Sequence, residues 1–157
     1  MDIKFLRLTE IDPSVITAHM SDPRVGEHMP LLKGEWSHAQ TLAFVDAKEA
    51  AWAADGLGHW AFAVDGDYVG WGGFQKEGDE WDFGLVLRPD RFGVGLPIAR
   101  ACLEWAARDP RIPFVTFLLP PSRTRLSALR RLGASEIEPV TYDGEVFRKF
   151  RLDTPES

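Results

Sequence analysis

The run Leu85-Val86-Leu87-Arg88-Pro89-Asp90-Arg91-Phe92-Gly93-Val94-Gly95-Leu96-Pro97-Ile98-Ala99 is the segment most able to do chemistry. It reads as a strand, a bend with two glycines and the start of a helix. The first amides of a helix have no intrahelical acceptor, and they carry the positive end of its dipole. Glycine lets the main chain approach an anion with no side chain between them. Phosphate or diphosphate is the expected guest. A plain strand-to-helix turn also uses glycine for its geometry, and spacing alone leaves both readings open.

Other chemistries fall away on spacing. A dinucleotide fingerprint needs a third glycine, where this chain has Ile98, and a Gly-Lys-Ser/Thr loop is absent. The four histidines (His19, His28, His38, His59) supply no i, i+4 pair on a helix, so no metal site is expected. No Gly-x-Ser-x-Gly motif is present. His59 opens a strand and reads as structural. Cys102 is the only cysteine; it sits on the apolar face of a helix and reads as core rather than nucleophile.

The elements that must position this bend follow from periodicity. A strand covers 3–8, and Asp12-Pro13 starts a helix to about Met20. Ser21-Asp22-Pro23 is a turn, and 25–36 is irregular. Ser37 caps a second helix that Gly56 stops. Strands at 60–64, 68–75 and 81–87 follow, with Asp65-Gly66 as a hairpin turn. Residues 88–95 read as a loop, 97–108 as a helix and 112–119 as a strand. Ser122 caps a helix through Leu132, and strands at 135–142 and 145–152 flank Asp143-Gly144. The order is β-α-α-β-β-β-α-β-α-β-β.

The 157 residues suit one domain spanning 1–157. A lone cysteine, the absence of an apolar leader and the lack of any membrane-length apolar run lead to the expectation of a cytoplasmic protein with no membrane partner. The net charge of −6 is uneven: residues 88–131 hold nine arginines and three acids, so that stretch is +6 and the remainder −12. A basic patch in an acidic chain points to a small anionic ligand rather than to nucleic acid. Arginines on solvated helix faces would give the same count.

The bend resembles the coenzyme A signature of the GNAT N-acetyltransferase superfamily, Q/R-x-x-G-x-G/A. It is nearest the branch of ribosomal-protein and amino-acid acetyltransferases, whose Pro-x-x-Trp-Gly-x-Gly is matched by Pro89-Asp90-Arg91-Phe92-Gly93-Val94-Gly95. Residues 122–134, Ser122 to Ala134, resemble the family's next motif. The resemblance implies a mixed, mainly antiparallel α/β sheet of about seven strands flanked by four helices. It also implies acetyl-coenzyme A as co-substrate without a metal, held by Val86, Leu87, Arg91, Phe92, Gly93, Val94, Gly95, Leu96, Pro97, Ser122 and Arg125. There are departures. Phe92 stands at the Q/R position with Arg91 one place earlier, Pro97 has no N–H to give, and Leu129 stands where many members carry a tyrosine acid.

The implied reaction passes an acetyl group directly to a primary amine of a small molecule or a peptide. The amine must lose a proton, which calls for a carboxylate or a water chain. Asp82 sits where related sequences often carry a strand glutamate, and Glu80 lies two residues earlier on the same face. A strand amide would stabilise the oxyanion. Arg123, Arg125, Arg130 or Arg131 would meet the 3′-phosphate. Trp36 with Glu27, His28 and Glu35 would wall the acceptor side and favour a cation. The oligomer is a monomer or a homodimer. A non-catalytic acyl-coenzyme A binding or sensing module, and a phosphate- or nucleotide-binding regulator, remain open.

Overall fold

The computed structural model describes residues 1–26, 36–121 and 126–154. The strands are β1 (Ile3–Leu6), β2 (His59–Val64), β3 (Asp67–Glu77), β4 (Glu80–Leu87), β5 (Phe114–Leu119), β6 (Ser135–Tyr142) and β7 (Glu145–Asp153). They form one sheet in the order β1-β2-β3-β4-β5-β7-β6. The helices are α1 (Pro13–Met20), α2 (Pro23–Gly26), α3 (His38–Asp55), α4 (Gly95–Ala107) and α5 (Ser127–Leu132), with 3₁₀ turns at Leu8–Glu10 and Pro89–Val94.

All strand neighbours are antiparallel except β4 and β5. Short hairpins join the antiparallel pairs β2–β3 and β6–β7. At Asp65-Gly66 and Asp143-Gly144 both residues have positive φ (51° and 87°, 49° and 80°), the backbone of a type I′ turn. β4 and β5 are joined instead through α4. A crossover of this length brings the chain back in the same direction, so the pair must be parallel.

Alternation along the strands divides the sheet into two faces. Trp81, Phe83 and Leu87 of β4 pack with Trp60, Phe62 and Phe74 beneath Ile98, Cys102 and Ala106 of α4. On the opposite face Ile16 and Met20 of α1 meet Ala61, Tyr68 and Trp71, and Phe44 and Val45 of α3 lie against them. A 2.6 Å hydrogen bond between the Thr17 and Thr41 hydroxyls ties α1 to α3. A 2.7 Å bond from His19 Nδ1 to the Tyr68 hydroxyl ties α1 to β3. β3 lies so close to β4 that a Cβ at Gly72 would fall 2.2 Å from the Gly84 carbonyl oxygen, which explains the glycine run in that strand.

The structure departs from the sequence-based boundaries in four places. Among the described residues there are five α-helices, because Asp22-Pro23, read as a turn, starts the one-turn helix α2: Asp22 Oδ1 accepts from the Arg24 amide at 2.9 Å. Residues 88–95 are not an open loop, since Pro89 at a first helical position winds them into a 3₁₀ helix and α4 begins at Gly95. β1 ends at Leu6 and β5 starts at Phe114, not Ile112, which is instead a buried core residue. The described part of the last helix is Ser127–Leu132, and Ser122, Arg123 and Arg125 lie outside the described residues.

Phe74 is fully buried and its ring lies 5.6–6.1 Å from those of Phe83, Trp60 and Trp105. Phe74→Ala is expected to lower unfolding free energy by about 3–5 kcal/mol. Urea denaturation should read this as a lower midpoint with an unchanged slope.

Candidate active site at the parting of two strands

β4 and β5 share a single register pair, Asp82↔Thr116. β4 continues five residues beyond that pair to Leu87, held by β3 throughout. β5 continues to Leu119, held by β7. Past Asp82 each strand therefore keeps its outer partner and loses its inner one. The sheet parts there, and main-chain N–H and C=O groups on the inner edges are left for something other than a strand. The rings of Phe83 and Phe117, 5.6 Å apart, close the α4 side of the gap.

On the other face, Asp82 and Thr116 line a cavity of about 160 Å³ with Glu77, Glu80, Tyr142 and Lys149. Leu118 and Val140 give it an apolar flank. The Thr116 hydroxyl donates to Asp82 Oδ1 at 3.0 Å. Burial pushes the Asp82 carboxyl up to about 7; the Thr116 hydrogen bond pulls the other way, Glu77 and Glu80 add to the rise and Lys149 opposes it. Glu80 accepts from Lys149 Nζ at 2.9 Å, so its charge is already matched. The Tyr142 hydroxyl donates to Glu77 at 3.3 Å. The two carboxylates placed together on the sequence thus sit in different surroundings: Glu80 is paired with Lys149, and Asp82 is bonded by the Thr116 hydroxyl alone among the described residues.

Beyond Asp82, Gly73 and Gly84 face each other across β3 and β4; a Cβ at Gly84 would meet only His59 Cε1, at 4.0 Å, whereas one at Gly73 would fall 2.7 Å from the Trp60 ring. His59 is buried and held neutral, its proton affinity lowered first by desolvation and then by Lys48. Lys48 reaches down from α3 over the rings of Trp71 and Phe44 and donates to Gln75 at 3.3 Å. Burial brings its ammonium down to about 8.

The glycine bend lies at the far end of β4. Arg91 reaches back to Asp67 at 3.3 Å, an exposed pair, and Arg88 holds the Tyr68 carbonyl at 3.0 Å and Asp90 at 2.9 Å. Phe92 is exposed, and Gly93 has open space where a Cβ would be. Val94 and Leu87 point into the core beneath α4. The expectation of exposed amides at the bend is corrected in part: the 3₁₀ winding gives the Arg91 amide to the Arg88 carbonyl and the Gly95 amide to the Phe92 carbonyl. The first turn of α4, which contains Leu96 and Pro97, has no side-chain cap, and Pro97 has no donor to leave unsatisfied. A larger depression, about 630 Å³, opens between α1 and this bend. Its charges pair off as Asp22 with Arg24 and Arg88 with Asp90.

Val86 faces the α1–α3 side. Glu27, His28 and Glu35, expected on the acceptor side, lie outside the described residues with Ser122 and Arg125. Trp36 is described: it packs on Phe44 and donates to Thr41 at 2.8 Å, so it braces α3. Sequence reasoning missed Thr116, Glu77, Tyr142 and Lys149. Only the strand register joins them to Asp82, and the one available clue was the Asp143-Gly144 hairpin, which fixes the phase of β7. No helix among the described residues is long and apolar enough to cross a membrane.

Residues 3–135 match the family model described as an acetyltransferase (GNAT) domain, and the chain belongs to that family of acetyltransferases. Solved structures agree in fold. An acetyltransferase from Agrobacterium tumefaciens str. C58 is 19% identical, with 96% of this chain and 90% of that chain covered at a TM-score of 0.74. A GNAT-family acetyltransferase from Bacillus anthracis is 18% identical, with 95% and 90% covered at 0.71. The aminoglycoside acetyltransferase AAC(6')-Ib, in complex with ribostamycin and coenzyme A, is 15% identical, with 98% and 94% covered at 0.81.

A carboxyl raised from the ordinary 3.8 to about 7 makes the folded state hold a proton that the unfolded chain releases. Its favourable contribution is complete below pH 4 and is lost as pH rises to about 7. Asp82→Asn removes that loss. Between pH 4 and pH 8 the stability of the Asn variant relative to the parent should climb by about 2–4 kcal/mol, since a tenfold change in proton affinity is worth about 1.4 kcal/mol. Denaturation series at the two pH values would measure it.

Proposed function

We propose that this chain is an N-acetyltransferase that passes an acetyl group from acetyl-coenzyme A directly to a primary amine. The observation that carries the reading is the parting of β4 from β5 beside a carboxyl that burial pushes up to about 7. The slot fits the co-substrate. The distance along β4 from Asp82 to Arg88 is roughly 20 Å, at about 3.3 Å per residue, a reach for an extended pantetheine arm. The arm's amides pair with the strand groups that the parting leaves free. The diphosphate lies at residues 88–96, where the α4 dipole and the guanidinium groups of Arg88 and Arg91 favour negative charge. Arg91 exchanges its exposed contact with Asp67 for a phosphate oxygen.

The acceptor enters over the uncrowded strand at Gly84 and the acidic cavity. Its nitrogen attacks the thioester carbonyl carbon. A β4 amide past Asp82 stabilises the oxyanion, the C–S bond breaks, and the thiolate of coenzyme A leaves. Asp82 takes the proton from the nitrogen. A base with its midpoint near 7 is ionised at working pH yet still accepts a proton, the match that general-base catalysis favours. Glu80 holds Lys149 at the cavity wall. A small-molecule acceptor is supported by one fold relative, the aminoglycoside acetyltransferase AAC(6')-Ib, which was solved with kanamycin and with ribostamycin. No acyl-enzyme forms, because Cys102 is fully buried beneath α4 and burial pushes its thiol well up.

Calorimetry with acetyl-coenzyme A should show saturable binding. Thiol release across a panel of amines should follow, and Asp82→Ala should cut kcat by about 10²–10⁴ with cofactor affinity retained. Binding without turnover on any amine would instead mark a sensing module, and absence of binding would sink both. A thiol reagent should label the native protein negligibly at Cys102 and label it stoichiometrically once unfolded. Fast native labelling that abolishes turnover would contradict direct transfer.

A further inference from the structure

We propose that Thr116 is a positioning residue for the proton transfer, its hydroxyl hydrogen turning between Asp82 and the Trp81 carbonyl so that Asp82 stays hydrogen-bonded in both charge states. The inference rests on the reading of Asp82 as proton acceptor. Thr116 is buried, and its Oγ1 lies 3.0 Å from Asp82 Oδ1 and 3.5 Å from the Trp81 carbonyl oxygen. The two residues form the one register pair of the parallel strands, so the backbone fixes their separation. A β-branched side chain in a strand has a stiff χ1, so the oxygen is held while its hydrogen rotates freely.

One hydroxyl offers one hydrogen and two lone pairs. When Asp82 is a carboxylate, Thr116 donates to Oδ1. When Asp82 has taken the proton of the attacking amine, its new O–H donates to Oγ1. The Thr116 hydrogen is then displaced toward the Trp81 oxygen, which needs an approach of a few tenths of an ångström to bond fully. The proton acquired from the substrate is never left without an acceptor, and neither form of the buried carboxyl is stranded. The carboxylate form gains the stronger bond because its acceptor is charged.

The other groups around Asp82 do not offer this exchange. On β3 Gln75 stands opposite Asp82 and is engaged by Lys48 of α3, and Glu77 is engaged by Tyr142 of β6. On β4 Glu80 is engaged by Lys149 of β7. Those charges set the background field, and Thr116 alone makes a direct bond to the Asp82 carboxyl among the described residues.

The test is the pH dependence of kcat/KM for the parent, Thr116→Val, Thr116→Ala and Thr116→Ser, with acetyl-coenzyme A binding and thermal melts as controls. Removing a hydrogen bond to a charged group should move the acid limb up by about one pH unit, a roughly tenfold loss at pH 6 that fades above pH 8. Val and Ala should shift it alike, although only Ala leaves a void, and Ser should restore the parent limb. If Val fails to fold, Ala and Ser decide. A limb unmoved in Ala, or displaced as far in Ser as in Ala, overturns the proposal. Asp82→Asn separates the two levels: a limb that survives in that variant defeats the base assignment itself, whereas a limb lost there but unmoved in Thr116→Ala defeats only the role of Thr116.

Discussion

A parallel pair inside an antiparallel sheet is the constraint on which this molecule turns. Hairpins keep neighbouring strands paired along their length, and β2–β3, β3–β4 and β6–β7 are held that way. The crossover through α4 puts no such tie on β4 and β5, and they meet at Asp82↔Thr116 alone. Each strand is secured on its far side, so the parting costs little of the core. Phe83 and Phe117 still pack across its base, and α4 seals that face. The sheet can therefore present unpaired main chain to a ligand while each strand keeps its outer partner.

The same junction sets the electrostatics. Asp82 is the last residue before the strands separate, so it is walled by protein on two sides and opens to the cavity on the third. Desolvation raises its proton affinity. Thr116, brought opposite by the register, is what restrains it. Glu80, one pleat away, loses its independence to Lys149. Two acids of one strand face thus meet different partners: Lys149 of β7 reaches Glu80, and Thr116 of β5 stands opposite Asp82.

Much of the fold was legible from periodicity. The Asp-Gly hairpins, the capped start of α3 at Ser37 and the apolar stripe Ile98, Cys102, Ala106 on α4 are local signals, and each is where the residues alone put it. The bend at 88–95 was legible as a motif but not as a conformation. Proline at its start and the arginine-rich turn favour 3₁₀ winding, which consumes the Arg91 and Gly95 amides that a loop would have left free. Glycine there gives access, as the open space at Gly93 shows, more than it gives donors. Thr116 and Lys149 were invisible, since no local pattern tells which residue of β5 or β7 a given residue of β4 will face.

The consequence is a shift in what grips the co-substrate. Had the bend supplied a full ring of amides, the diphosphate would anchor the ligand and the strands would merely guide it. On the proposed reading, with the Arg91 and Gly95 amides bonded internally and Pro97 contributing none, the unpaired edges of β4 and β5 take a larger share. Recognition then depends on an extended, amide-bearing arm more than on a bare diphosphate. On the proposed reading the reacting end lies at Asp82, far from the bend, so binding spread along the strand would align the thioester with the carboxyl, and alignment of bound partners is where acyl transfer gains much of its rate.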